Sequence, residues 1–97
     1  MSTYVTLLRF TQKGVETIKE GPTRLDRAKK LFESAGGKLI GFYLTMGPYD
    51  AVAISEFPTD EGIAKAALAG ASQGFVRTET CRAFTEQEYR SIVASLP

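Results

Sequence analysis

The fold of this chain is decided by residues 39–57, which read LIGFYLTMGPYDAVAISEF. Two runs rich in β-branched and aromatic residues, 39–46 and 49–57, lie on either side of Gly47-Pro48. Such runs favour strands, and a short Gly/Pro break between them is typical of an antiparallel hairpin. Because proline holds φ at about −65°, Pro48 cannot occupy a positive-φ position, and we expect a turn slightly wider than two residues.

The sequence outside this hairpin supplies two more strands and three helices. Residues 3–10 and 75–84 have strand composition. Residues 22–35 and 58–74 place apolar side chains at helical spacing, and the second of these faces is mostly alanine. Thr85 and Glu88 form a capping-box pattern that begins a C-terminal helix. This order predicts an α+β fold, a ferredoxin-like βαββαβ two-layer sandwich plus a C-terminal helix.

Length and charge set limits on the function. A chain of 97 residues has the size of one domain, 1–97, and it buries only about 60–65% of its unfolded surface, so pairing with a second copy would add burial. The net charge of +1 gives no field that would attract nucleic acid or an anionic membrane. No signal peptide or membrane-length apolar run is present, and Cys81 is the only cysteine. We therefore expect a cytoplasmic protein that binds neither nucleic acid nor membrane.

The absence of histidine is the most informative feature of the composition. It excludes a Ser-His-Asp triad, a Cys-His pair and a haem held by a proximal histidine. It also removes the usual ligand sets for zinc, copper and non-haem iron. We predict no metal site and no cofactor, and a general base would have to be a carboxylate, a tyrosine, a lysine or Cys81.

Strand alternation predicts which residues lie on the sheet face that the helices leave open. We assign Val52 and Ile54 to the helix side. The predicted open face then holds Tyr4, Thr6, Leu8, Phe10, Gly41, Tyr43, Thr45, Tyr49, Ala51, Ala53, Ser55 and Phe57. The fourth strand offers either Arg77, Glu79 and Cys81 or Thr78, Thr80 and Arg82. So apolar a face favours a second copy packed sheet to sheet, around a cavity suited to a small molecule.

The segment Gly47-Pro48-Tyr49-Asp50-Ala51-Val52-Ala53-Ile54 resembles the signature of the GYD domain family. Three further segments fit the same family: Thr11-x-x-Gly14, Phe57-Pro58-Thr59-Asp60, and 74–80 followed by Arg82-Ala83-Phe84. The resemblance implies a ferredoxin-like fold that pairs as a dimeric α+β barrel. It implies no particular activity, because fold relatives include monooxygenases, isomerases and effector-binding domains.

Tyr49 and Asp50 are the candidate catalytic residues. Asp50 either caps the hairpin by accepting hydrogen bonds from nearby backbone N–H groups or acts as a base at the rim of the pocket, with Tyr49 as its partner. We interpret Cys81 as an inert buried residue, since no helix N-terminus or histidine is evident that would lower its pKa.

Arg77 and Arg82 are candidate anchors for a ligand carboxylate or phosphate, and the alternative is a salt bridge to Glu79 or Glu56. The other candidate ligand-binding residues are polar side chains of the predicted open face: Tyr4, Thr6, Tyr43, Thr45 and Tyr49. The tyrosines could equally fill the core of a dimer.

Three functions remain open at this point. The first is a homodimer, or a higher oligomer built from it, that binds a small, partly apolar molecule between sheet faces. The second is a cofactor-independent enzyme, monooxygenase- or isomerase-like, in which Tyr49, Asp50 and an arginine polarise a carbonyl or stabilise an enolate. The third is a purely structural or assembly module.

Overall fold

A computed structural model describes all residues, 1–97. The strands are β1 (Ser2–Phe10), β2 (Lys38–Leu44), β3 (Ala51–Phe57) and β4 (Val76–Ala83). The helices are α1 (Gln12–Glu16), α2 (Gly21–Ser34), α3 (Asp60–Ala71) and α4 (Glu86–Ala94), and a 3-10 turn covers Ile18–Glu20. None of the helices has the length and apolar character needed to span a membrane.

The four strands form one antiparallel sheet in the order β2-β3-β1-β4. Helices α2 and α3 lie on one face of this sheet. The structure thus confirms the predicted α+β class and the βαββαβ order followed by a C-terminal helix. It also contains the short α1, whose N-cap residue Thr11 accepts a side-chain hydrogen bond from the Gly14 backbone N–H.

The core is centred on the ring of Phe57, which is fully buried. Tyr4 meets this ring edge-on with centroids 6.2 Å apart, and Phe32 of α2 lies at 5.4 Å. Two glycines make room for it, because a Cβ at Gly37 would overlap the ring and one at Gly62 would come within 2.9 Å of it. Phe57 therefore joins β1, α2 and the start of α3 into one packed unit.

The predicted facing of β1 and β3 is wrong, because the two strands are turned the other way. Tyr4, Thr6, Leu8 and Phe10 of β1 lie under the helices rather than on the open face, with Tyr4 and Thr6 buried. The same holds for Ala51, Ala53, Ser55 and Phe57, all of which are buried. The physical reason is helix proximity: small side chains in the middle of β3 let α2 and α3 approach the sheet.

Val52 and Ile54 accordingly lie on the open face, and the prediction that they face the helices is wrong. Strand register then fixes their neighbours. The open face consists of Thr3, Val5, Leu7, Arg9, Lys38, Gly41, Tyr43, Val52, Ile54, Glu56, Arg77, Glu79, Cys81 and Ala83. The structure therefore selects the row containing Arg77 and Glu79 for β4 and confirms Gly41 and Tyr43. Cys81 lies in the same row and is exposed, so its predicted burial is wrong, because no helix covers this face.

Helix α4 extends from the sheet without extensive contact to the other elements. Its predicted capping box is confirmed, since the Glu88 N–H donates to Thr85 Oγ1 at 3.2 Å and the Thr85 N–H donates to Glu88 Oε1 at 2.9 Å. Hydrogen bonds to the Glu88 carboxylate, first from the Thr85 backbone N–H and then from the Thr85 side chain, hold the pKa of Glu88 below its usual value. The apolar side of α4 is exposed and contains Tyr89, Ile92, Val93 and, just beyond it, Leu96.

Ser55 provides a test of the corrected facing of β3. Its hydroxyl is fully buried and has no hydrogen-bond partner, which costs folding free energy. We expect Ser55→Ala to raise the free energy of unfolding by about 1 kcal/mol, measured by urea denaturation. Thr6→Val is the matched control and should lower stability, because Thr6 Oγ1 pairs with Thr80 Oγ1 at 3.1 Å. Loss of stability in both variants would contradict the assignment.

Candidate functional site

The open face has an apolar centre and a charged end. Val5, Leu7, Val52 and Ile54 form the centre, and Tyr43 lies beside them with 62% of its surface exposed. Beyond Leu7, the strands β1 and β4 continue into polar residues. This juxtaposition of an apolar surface with a few directed polar groups is typical of small-molecule sites.

The charged end, which we term the Arg9 cluster, consists of Arg9, Tyr49, Arg77 and Glu79. The guanidinium of Arg9 lies over the Tyr49 ring, 4.5 Å from its centroid, and Arg9 Nε donates to the Pro48 carbonyl at 2.9 Å. Tyr49 Oη donates to Glu79 Oε2 at 2.9 Å, and Arg9 Nη1 is 3.9 Å from Glu79 Oε1. With Leu7 and Thr78, these residues line a depression of about 280 Å³.

The two arginines of the cluster stand directly opposite each other on neighbouring strands, since Arg9 pairs with Arg77 in the β1–β4 register. Like charges in that position destabilise a sheet. Glu79 interacts with Arg9, while Arg77 has no salt bridge and no hydrogen bond. The cluster therefore carries an uncompensated positive charge at the edge of an apolar surface, an arrangement suited to an anion.

The wide turn between β2 and β3 positions Tyr49. It covers residues 45–50 and so is wider than two residues, as predicted from Pro48, although both strands end short of their predicted bounds, and Gly47 adopts φ 122°. Thr45 closes the turn: its N–H donates to the Asp50 carbonyl at 2.9 Å and its Oγ1 donates to the Tyr49 carbonyl at 2.7 Å. Thr45 thus holds the turn through backbone contacts.

Asp50 ties this turn to β1. Its Oδ2 accepts the Phe10 N–H at 2.9 Å, and its own N–H donates to the Leu8 carbonyl at 2.9 Å. The capping interpretation is therefore supported, with the bonded N–H on β1 rather than in the hairpin. No group of three or more His, Cys, Asp and Glu side chains is placed to hold a metal ion.

Electrostatics favour the neutral form of Tyr49. The hydrogen bond to Glu79, together with the charge of that carboxylate, raises the pKa of the Tyr49 hydroxyl, and Arg9 offsets part of the effect. A phenol in this state is a hydrogen-bond donor at neutral pH and a poor base.

The remaining sequence-predicted residues lie apart from the Arg9 cluster. Tyr4 donates to Asp60 on the helix side, which raises the pKa of its hydroxyl, and Thr6 bonds Thr80 there. Arg82 lies near the opposite end of β4, with its guanidinium 4.4 Å from the Phe84 ring centroid. The predicted site residues therefore lie on both sides of the sheet and at different ends of its strands. Of these residues, Tyr49 and Arg77 lie together in the Arg9 cluster.

Arg9 was not predicted as a site residue, although the sequence contains a signal for it. It is the only charged residue within residues 3–10, an otherwise apolar and hydroxylic strand. Its position next to Phe10 and Leu8 indicates that one side of the strand end meets a polar partner.

Comparison with known proteins identifies the chain. The sequence profile described as the GYD domain matches residues 4–93. The chain belongs to the GYD domain family. In this member, the Gly-x-Tyr-Asp motif has three separate tasks: Gly47 supplies the positive φ, Tyr49 bonds Glu79, and Asp50 anchors the turn to β1.

Two proteins from Thermus thermophilus are similar to this GYD chain. A curated relative named glutamine synthetase and cystathionine beta-lyase binding protein is 33% identical over 84 residues, covering 86% of this chain and 88% of the relative. The crystal structure of TTHA0845 superposes with a TM-score of 0.56 at 25% identity, covering 88% of this chain and 95% of that one. The second comparison supports the fold described above.

The Tyr49–Glu79 bond predicts the pH dependence of tyrosine ionisation. The folded pKa of Tyr49 is raised above its ordinary value of about 10. The hydrogen bond from Tyr49 to Glu79 therefore stabilises the fold below pH ~10, and this stabilisation is lost as the pH rises through the folded pKa. The tyrosinate absorbance of Tyr49 is the part of the signal that is lost in Tyr49→Phe. It should appear above pH ~10. Glu79→Gln should move this absorbance to lower pH. A Tyr49 transition at or below the ordinary value in the unmodified protein would contradict the bond.

Proposed function

We propose that this protein is a homodimer that binds a small, partly apolar anion between its paired open faces. The observation that carries the proposal is the Arg9 cluster: two opposed arginines, one of them unpaired, beside an apolar surface. Arginine grips a carboxylate or phosphate with two parallel hydrogen bonds, so Arg77 is the residue that we expect to hold the anionic group. Tyr49 and Arg9 would line the same pocket.

The burial within one copy supports pairing. Only 10 of the 97 residues are buried in the isolated chain, and the apolar centre of the open face is left uncovered. Exposed apolar surfaces of this kind mark interaction sites. A second copy placed face to face would cover Val5, Val52 and Ile54 and would turn the depression at the cluster into an enclosed cavity.

The enzyme alternative has weaker support from the geometry. Asp50 already accepts a backbone N–H, and Tyr49 is held in its protonated form by Glu79. Asp50 therefore has a structural role in the turn, and a protonated Tyr49 is a poor base. Binding rather than proton transfer is the chemistry that these contacts favour.

Dimer formation is tested by a charge on the open face. We expect Ile54→Glu to yield a monomer in sedimentation experiments at micromolar concentration, because carboxylates would meet across the interface. Leu68→Glu is the matched control, since Leu68 is exposed on α3, on the other side of the sheet, and it should leave the dimer intact. An unmodified chain that sediments as a monomer would overturn the proposal.

Anion binding is tested by thermal-shift screening with carboxylate and phosphate metabolites, since a ligand of the folded state raises its stability. For any compound that raises the melting temperature, Arg77→Met should weaken binding roughly ten- to hundredfold through loss of a charge-assisted pair. Lys29→Met removes an exposed charge from α2 and should have no effect. Equal affinity in the Arg77→Met variant and the unmodified protein would exclude the assigned role of Arg77.

A second candidate function, protein binding, is favoured by α4. Isolated helices shorter than about 12–15 residues are marginal in water, yet this one covers Glu86–Ala94 and leaves its apolar side exposed. The name of the similar protein, a binding protein for two enzymes, supports a protein-binding role in general. An amphipathic helix can bind by placing its apolar side in a groove of its partner.

Binding to purified glutamine synthetase and cystathionine beta-lyase tests this second candidate. We expect Ile92→Glu to weaken binding at least about tenfold, because it places a charge on the apolar side of α4. Ser91→Glu adds the same charge on the opposite side of the helix and should retain binding. Absence of binding by the unmodified protein to both enzymes would remove the support that the relative's name provides.

A further inference from the structure

The helix side of the sheet contains a second apolar space, separated from the open face by the sheet itself. Two adjoining cavities of about 140 and 100 Å³ lie between α2, α3 and the strands. Both are lined by Leu25, Ala28 and Leu31 of α2 and by Leu8, Phe42 and Val76 of the sheet. Because they share these walls, we treat them as one space and term it the helix-side cleft.

The cleft exists because α3 presents small side chains to the sheet. Ala66, Ala67, Gly70 and Ala71 line its inner part, where larger residues would fill the space. An apolar cavity of about 150 Å³ is large enough to hold a benzene molecule, so the two parts of the cleft together accept roughly a ring or a short chain. The inner part is lined by 13 hydrophobic residues among 16, which suits an apolar group.

The mouth of the cleft is positively charged. Arg24 lies there in a fixed position, donating to the Thr17 carbonyl at 3.1 Å and to the Gly14 carbonyl at 3.3 Å, with its guanidinium 4.4 Å from the Phe75 ring centroid. Arg27 lines the same mouth, is exposed, and has no hydrogen bond or salt bridge. Glu20 lines an adjoining hollow, so the mouth has two positive charges and one negative.

We propose that the helix-side cleft binds a small monocarboxylate whose apolar tail, of roughly six carbons, enters between α2 and α3 while its carboxylate meets Arg27. This site is independent of the pocket on the open face, because the two lie on opposite sides of the sheet and share no arginine. The charge at the mouth selects an acid over an alcohol of the same tail. Arg24 shapes the entrance, and its Nη1 and Nη2 already donate to Thr17 and Gly14.

Methyl NMR of isotope-labelled full-length protein distinguishes this cleft from the open face. We expect hexanoate and benzoate to shift the methyl signals of Leu8, Leu25, Leu31 and Val76, which line the cleft. The methyl signals of Val5, Val52 and Ile54 on the open face should stay unchanged. Shifts confined to the open face, or no shifts at millimolar probe, would overturn the proposal.

One pair of variants tests the contacts of the apolar tail, and a single variant measured with two ligands tests the contact of the carboxylate. Ala67→Leu fills the cleft and should weaken hexanoate binding at least about tenfold, while Ala64→Leu, on the exposed side of α3, should leave it unchanged. Arg27→Met should weaken hexanoate binding about fivefold without changing the affinity for hexanol. The measurements of hexanoate and hexanol binding to Arg27→Met remain informative if Ala67→Leu fails to fold. Equal loss for acid and alcohol, or no loss for the acid, would refute the role of Arg27.

Discussion

The packing of Phe57 against Tyr4 and Phe32 is the constraint on which the rest of the molecule depends. The ring is fully buried at the end of β3, and its position fixes which side of that strand faces the helices. Since side chains alternate along a strand, one buried aromatic determines the direction of every residue back to Ala51. Val52 and Ile54 are directed to the open face as a result, and the register carries the same choice into β1 and β2.

The elements of this fold could be predicted from sequence because their signals are local. The hairpin around Gly47-Pro48, the ends of α2 and the capping box of Thr85 and Glu88 each depend on a few neighbouring residues. The facing of β3 could not be obtained in this way, since both of its rows are apolar and alternation alone permits either choice. What decides it is the close approach of the helices over Ala53 and Ser55, which is a tertiary effect.

The candidate site also combines residues that local sequence signals predict with contacts that only the tertiary structure determines. Tyr49 follows from its motif and Arg77 from its charge in a strand, so both could be named from sequence. Their meeting with Arg9 and Glu79 could not, because it requires the β1–β4 register that places Arg9 opposite Arg77. Asp50 links the turn to the cluster. Its side chain accepts the Phe10 N–H and so joins the turn of the Gly-x-Tyr-Asp motif to β1, the strand that carries Arg9.

The bulge in β2 has a consequence for how copies of this chain can assemble. β2 is an edge strand, and its pairing with β3 shifts between Leu39 and Gly41, which interrupts the regular ladder. The other edge, β4, carries the charged side chains of Arg77, Glu79 and Arg82. Bulged and charged edges resist the addition of further strands from neighbouring molecules. Fibre-like growth through the sheet edges is therefore disfavoured, and association is left to the open face and to α4.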